Sequence, residues 1–416
     1  MVKERVSKMT RYEVKKVFAK TSSKIAVMLL LFVMGITCFF ALDITYVDEN
    51  GSTREGLAAV SGLKAAQKEW AGCLDEEKIR KVIAENRRIQ NTPEALAQDI
   101  TQKEIAYSWG QGIKEIRNLL NCAYAKGLRE YDYYLADSLT EEDAADFYRN
   151  RTRLLREWLE GEAKDQFTDE EKEYLIGQYG RMDTPLYYDY MEGWQQLFKF
   201  APTVVMLTML ILGYLVAGIF SNEFAWRSDA VLFSSFYGRN KAVTSKIKAG
   251  FCVVTAVYSA VFTIYTGIVL LYLGTDGWNL PIQSSWISWK CFYNITNLQK
   301  YLFIIGGGYV GCLFLSFLSM LVSVKTRSAV PAVMVPVLVI FIPSFIANIG
   351  SPFVNKIIGL LPDQLLQAGE ALNYFNLYSV GGRITGELPV ILILYTILTI
   401  VILPVLYQTY RRMQIG

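Results

Sequence analysis

Phe200-Ala-Pro-Thr-Val-Val-Met-Leu-Thr-Met-Leu-Ile-Leu-Gly-Tyr-Leu-Val-Ala-Gly-Ile-Phe220 contains no Asp, Glu, Lys or Arg. A helix rises about 1.5 Å per residue, so roughly 20 apolar residues cross about 30 Å of hydrocarbon. This stretch meets that length. So do Ile25–Leu42, Ala249–Leu273, Leu302–Val322, Ala329–Ile349 and Leu388–Tyr407, none of which contains an acid. The nearest bases, Lys24 and Lys199, stand at the ends, where long side chains reach the interface. The pattern predicts an all-α polytopic membrane protein with six transmembrane helices.

Composition agrees. The 416 residues are 52% hydrophobic and only 19% charged, with mean hydropathy +0.23, values that exclude a soluble two-domain enzyme and a disordered chain. Of the 39 Asp+Glu, about 31 fall between Asp43 and Glu192, together with about 20 of the 42 Lys+Arg. This split reads as membrane topology, and no nucleic acid is expected as a partner. Histidine is absent, which removes the commonest metal ligand and imidazole acid–base chemistry, and no metal site is expected.

Orientation follows from the connections. The leader carries Lys3, Arg5, Lys8, Arg11, Lys15, Lys16, Lys20 and Lys24 against Glu4 and Glu13. Arg227, Arg239, Lys241, Lys246 and Lys248 follow the second span, Lys325 and Arg327 the fourth, and Arg411 and Arg412 close the chain. With six spans all four regions share one side, expected to be the cytoplasm. Residues 1–24 are then a cytoplasmic amphipathic helix, with Val14, Val17 and Phe18 interleaved with lysines. Residues 25–42 are the first span, 43–197 an extracellular domain, and 198–416 spans two to six with a cytoplasmic connection at 221–248. The segment 25–42 is read as a retained span, because its basic leader is long and Phe39-Phe40 stands where a cleavage site needs small residues. Trp194, Trp278, Trp286 and Trp289 are expected as interfacial anchors near the outer ends.

The extracellular domain reads as mainly helical. Ile44-Thr45-Tyr46-Val47 before Glu49-Asn50-Gly51-Ser52 gives a short strand and a tight turn. Thr92-Pro93-Glu94, Ser138-Leu139-Thr140-Glu141 and Thr168-Asp169-Glu170-Glu171 read as helix starts, the last two as capping boxes. The acidic groups Glu141-Glu142-Asp143 and Asp169-Glu170-Glu171 therefore oppose helix dipoles rather than bind calcium. Arg149, Arg153 and Arg156 have acids three or four residues away and read as surface ion pairs. Cys73 and Cys122 share this domain and could form a disulfide in an oxidising exterior.

Within the spans, Gly307 and Gly311, and likewise Gly213 and Ala217, fit the small-xxx-small pattern that lets helices approach closely, either within one chain or across a dimer. Pro331, Pro336 and Pro343 punctuate the fifth. No Gly-rich phosphate loop followed by Lys-Ser/Thr occurs, so ATP and its magnesium are not expected on this chain. No intramembrane acid offers a proton or sodium site.

The connection Phe220-Ser-Asn-Glu223-Phe-Ala-Trp-Arg227-Ser-Asp229-Ala-Val-Leu232-Phe-Ser-Ser-Phe-Tyr-Gly238-Arg239-Asn-Lys241-Ala-Val-Thr-Ser-Lys246 resembles that of ABC-2-type ABC transporter permeases. There the second span ends in Phe-x-x-Glu, followed by a helix, Gly-Arg, and a Lys opening the third span. Arg227 departs from the pattern, since many members carry a glycine there. The six-span layout and the Leu360-Leu361-Pro362 segment before the last span are similar too. The resemblance implies a bacterial plasma-membrane exporter subunit with both termini cytoplasmic, acting on an antimicrobial peptide, drug or lipid. Its expected partners are separate ATP-binding subunits, which hold the ATP and magnesium, a second permease copy or paralogue, and membrane lipids. Glu223, Arg227, Asp229, Gly238, Arg239, Lys241 and Lys246 are the expected coupling residues. From the residues alone, Glu223 is expected to bond to the amides opening the next helix, with Arg239 and Lys246 meeting lipid phosphates or the partner. The rival classes are a membrane sensor whose outer domain binds ligand, and an ion-coupled carrier.

Overall fold

The computed structural model describes residues 2–346 and 352–413. It is mostly helical, and five helices are long and apolar enough to cross a membrane: Thr21–Ala41, Glu192–Ala225, Lys241–Leu273, Asn297–Thr326 and Glu387–Arg411. These are the first, second, third, fourth and sixth apolar helices. The fifth expected span folds as the helix Ala329–Ile346 with Pro336 and Pro343 inside it. Its described apolar part, Ala329–Pro343, is shorter than the other five. Residues 347–349, the remainder of that expectation, lie outside the described residues.

The second and fourth helices form the centre of the bundle, and small residues explain how closely they approach. A Cβ on Gly308 would lie 2.6 Å from the Tyr258 hydroxyl oxygen and 2.8 Å from Val205. A Cβ on Gly311 would collide with Met209, one on Gly213 with Pro336 of the fifth helix, and one on Gly307 would come within 3.0 Å of Ala368. Ala217 is buried, and its carbonyl accepts from the Ser323 hydroxyl. All four small residues singled out in the sequence, Gly213, Ala217, Gly307 and Gly311, therefore take part in packing within the chain. Without a hydrophobic driving force between helices in lipid, such close contacts are what hold a bundle together.

The polar segment between the first two apolar helices folds as an inserted domain. Thr45–Val47 pairs antiparallel with Thr53–Glu55, Thr45 opposite Glu55, across a turn in which Gly51 takes φ +75°. Six helices of ten or more residues follow: Gly56–Glu69, Glu76–Gln90, Ile100–Gly110, Lys114–Ala123, Phe147–Glu160 and Asp169–Gly180. Thr168 caps the last in a full capping box with Glu171. The other expected box is displaced: Thr140 and Asp143, not Ser138 and Glu141, make the reciprocal bonds, because a 3-10 turn precedes Phe147–Glu160. Pro93–Leu96 is a single turn capped by Thr92. Arg149–Asp146 and Arg153–Glu157 are surface ion pairs at 2.8 and 2.9 Å, as their spacing implied.

The core of this domain is built from Ile79, Val82, Ile83, Leu119, Leu120 and Phe147, and Trp289 of the 274–296 connection completes it. Trp289 is 1% exposed and Trp194 4%, so neither is an interfacial anchor; each fills an aromatic contact, with Phe147 and Tyr301 respectively. Trp286 packs partly buried on Tyr131, and Trp278 stays half-exposed. Cys73 and Cys122 are free thiols: Cys73 is exposed on a short strand, whereas Cys122 is buried with its sulfur beside the Trp286 carbonyl. The proposed disulfide is absent.

Charge links the domain to the bundle. Asp276 takes Lys64 at 2.6 Å and Lys68 at 2.8 Å. Burial opposes its ionisation, but hydrogen bonds from Lys64 and Lys68 hold its carboxyl down at about 2. Arg151 is buried with no carboxylate paired to it among the described residues, donating to the Trp289 and Cys291 carbonyls at 3.0 and 2.9 Å and lying 3.8 Å from the Tyr179 ring centre. Burial lowers its pKa. Sequence reading passed over it in favour of its surface neighbours, because nothing in the helix itself marks the loop it reaches.

Candidate functional site

At the end of the bundle away from the inserted domain, all four basic regions meet. The leader helix Val2–Ala19 lies against the third helix, Arg327 stands 5.5 Å from the Phe224 ring centre, and Tyr410 packs on Phe220 at 4.9 Å. Successive segments stand about 80 to about 200 residues apart in the sequence; their convergence is a product of the fold.

The connection at their centre is anchored by a buried ion network. Lys246, one turn and a half into the third helix, is 1% exposed. Its ammonium donates to Glu223 Oε1 at 2.6 Å, to the Ile219 carbonyl at 2.6 Å and to Glu13 Oε2 at 3.3 Å, so its three protons are all placed. Lys16 reaches the same Glu223 oxygen at 3.4 Å and Glu13 at 3.2 Å, while Lys20 donates to Asn222 Oδ1 at 2.8 Å. Leader, second helix and third helix are thereby locked in one register. This corrects two expectations. The amide opening the next turn, Ser228 N, bonds to the Glu223 backbone carbonyl at 2.8 Å, leaving the carboxylate for Lys246. Lys246 faces inward, with its protons directed at Glu223, Ile219 and Glu13 of the same chain.

Between these anchors the short helix Asp229–Ser234 is pinned by rings. Phe233 packs against Tyr410 at 5.2 Å, and the Arg239 guanidinium lies 5.2 Å from the Phe233 ring centre. Lys241 sits over Tyr237 at 3.7 Å. Gly238 is buried, and a Cβ there would overlap the Leu232 carbonyl oxygen, so only glycine lets the chain turn back into the third helix. Asp229 is half-buried at the start of the short helix, and Arg227 is exposed.

Arg227 takes φ +52°, a left-handed conformation. A glycine would adopt this conformation freely, so the arginine bears the strain of the turn. A side chain in this region costs about 1 kcal/mol. Arg227→Gly is expected to raise stability by about that amount, read as a higher melting temperature with unchanged cooperativity.

What sequence reasoning missed on this connection is its apolar ridge. Trp226 is 57% exposed, Val231 75% and Phe236 88%. It also gave no role to Glu13, one of two acids in a basic leader, although Glu13 stands three residues from Lys16.

A partly buried acid lies where the inserted domain meets the second helix. Glu115 accepts from Trp286 N at 3.1 Å and Gln195 Nε2 at 3.2 Å. Burial pushes its carboxyl up to about 7, against hydrogen bonds from Trp286 and Ser285. A raised pKa means the folded state holds the proton more tightly, so this contribution is full below about pH 4.5 and lost as pH rises through about 7. Asp363, raised to about 6 by burial, acts in the same direction over a lower window. Glu115→Gln is expected to stabilise the protein at pH 8 by on the order of 2 kcal/mol and to change little at pH 5. Thermal unfolding at both pH values checks it.

Among the described residues, no group of three or more Cys, Asp or Glu could hold a metal ion. Comparison with known proteins gave no match: no family model, curated protein or solved structure is similar to the chain.

Proposed function

We propose that this chain is the membrane subunit of an ATP-driven ABC-2-type exporter in a bacterial plasma membrane, with the connection at 221–248 engaged by a separate ATP-binding subunit. In this reading all six apolar helices span the membrane, the leader and both termini are cytoplasmic, and the inserted domain is extracellular. ATP and magnesium belong to the partner, and the permease acts with a second copy or a paralogue.

The observation that carries the reading is the combination at one connection of a rigid base and an exposed apolar ridge. Val231 and Phe236 present large side chains to solvent while their neighbours Phe233 and Gly238 are buried against the bundle. A monomeric soluble surface rarely exposes such residues together without a partner. Lys246, Glu223 and Glu13 then tie any push on this ridge to three helices at once. An amphipathic cargo is consistent with the groove of about 760 Å³ between the third and fourth helices, where Thr255, Thr266 and Tyr309 hydroxyls alternate with Phe262 and Ile305.

The reading is tested by purifying the complex from its native membrane and measuring ATP hydrolysis. Val231→Asp/Phe236→Asp is expected to reduce the retained ATPase at least ten-fold while the chain itself remains folded. Purification that never retains an ATPase, or retention indifferent to this double substitution, contradicts it. A sensor would keep ligand-stimulated hydrolysis without moving cargo into vesicles; a carrier would transport on an ion gradient alone.

A further inference from the structure

A cavity of about 610 Å³ lies between the inserted domain and the segment 355–376 that precedes the sixth helix. Arg129 and Gln166 of the inserted domain and Lys290 of the 274–296 connection line it together with the amides of Asn355, Gln364, Asn373 and Asn376. No carboxylate lines it. Among the described residues, neither Arg129 nor Lys290 has an acid within ion-pair distance or a side-chain hydrogen bond, although Arg129 rests on the Trp158 ring at 4.7 Å.

Two of the amides are held by acids. Asn376 donates to Glu387 in the first turn of the sixth helix, and Gln364 donates to Asp363. Each of these two amides spends one N–H on that bond, which fixes the amide and leaves its carbonyl oxygen able to accept. The Asn373 carbonyl oxygen is buried with no partner at all. Two cations without a counter-charge and a buried acceptor without a donor, on residues lining one cavity, form an incomplete arrangement that a ligand of matching chemistry would complete. Burial and the neighbouring Arg129 both lower the Lys290 pKa, as close like charges require.

We infer that this cavity binds a phosphate ester bearing hydroxyl groups, with phosphate oxygens on Arg129 and Lys290 and hydroxyls donating to the amide carbonyls. A guanidinium matches phosphate geometry, and an ammonium adds a point charge beside it. The phosphate comes from a phosphoglycerol lipid headgroup or from a soluble glycerol phosphate; the site's chemistry is common to both. The site stands on the fold and does not depend on the transport reading. Because Asn376 is bonded to the start of the sixth helix, occupancy bears directly on that helix's position.

The test uses the full chain in detergent and two radiolabelled probes, glycerol 3-phosphate and short-chain phosphatidylglycerol, with phosphatidylcholine of equal chain length as the neutral comparison. Saturable binding of one probe or both is expected, weakened at least ten-fold by Arg129→Gln/Lys290→Gln and unaffected by Arg153→Gln, which alters only a surface ion pair. Binding of the lipid alone assigns the headgroup source, and binding of glycerol 3-phosphate assigns the soluble one. Saturable binding of neither probe, equal binding of phosphatidylcholine, or indifference to the double substitution overturns the inference. Arg129 is exposed and Lys290 only partly buried, so both variants retain the fold, which an unchanged melting temperature verifies.

Discussion

Lys246→Met is expected to cost about 3 kcal/mol or more, one of the largest losses of any single substitution in this chain. Methionine fills much of the same space, so the loss is electrostatic. It leaves the Glu223 carboxylate buried, with Lys16 at 3.4 Å as its remaining cation and one oxygen already without a partner. Breaking a buried pair from one side is far more damaging than removing both charges. Glu223→Gln alone is therefore expected to be milder, because Lys246 keeps the Ile219 carbonyl and Glu13. Adding Glu223→Gln to Lys246→Met should recover most of the stability. Thermal unfolding of the three variants reads this cycle. A double variant no more stable than Lys246→Met would mean the network contributes through packing rather than charge.

Gly238→Ala is the second large effect. The added methyl overlaps the Leu232 carbonyl oxygen and crowds the Leu232 carbonyl carbon at 2.7 Å and Ser235 Oγ at 2.8 Å. Backbone cannot yield as a flexible side chain does, so the short helix Asp229–Ser234 must move away from the start of the third helix. Overpacking of this kind costs about 3 kcal/mol. Under the proposed function it also displaces Val231 and Phe236, so loss of the ATPase should accompany the lower melting temperature. Gly35→Ala in the first helix is the matched comparison. Nothing lies within 4 Å of its added methyl, and it should be neutral or slightly stabilising.

The five long apolar helices were legible because an apolar run of bilayer length is a one-dimensional signal that needs no partner to interpret. The fifth stretch carries Pro336 and Pro343, yet its described part is one continuous helix, Ala329–Ile346. Caps at Thr92 and Thr168 were readable for the same local reason. What the sequence did not carry were contacts between distant segments. Trp289 looked like an interfacial anchor because composition cannot say that its loop inserts into another core. Lys246 looked like an outward cation until Glu13, from the far end of the chain, was placed beside it. The exposed ridge at Val231 and Phe236 was invisible for the converse reason: a single apolar residue in a loop reads as core until its neighbours occupy the space.

The central claim is that an ATP-binding subunit seats on this ridge. Site-specific photo-cross-linking from position 236, in native membranes, addresses it most directly. The account predicts an adduct whose second component is labelled by azido-ATP and is lost when Val231 is changed to Asp. Adducts confined to lipid, or to a protein that takes up no nucleotide, would contradict it.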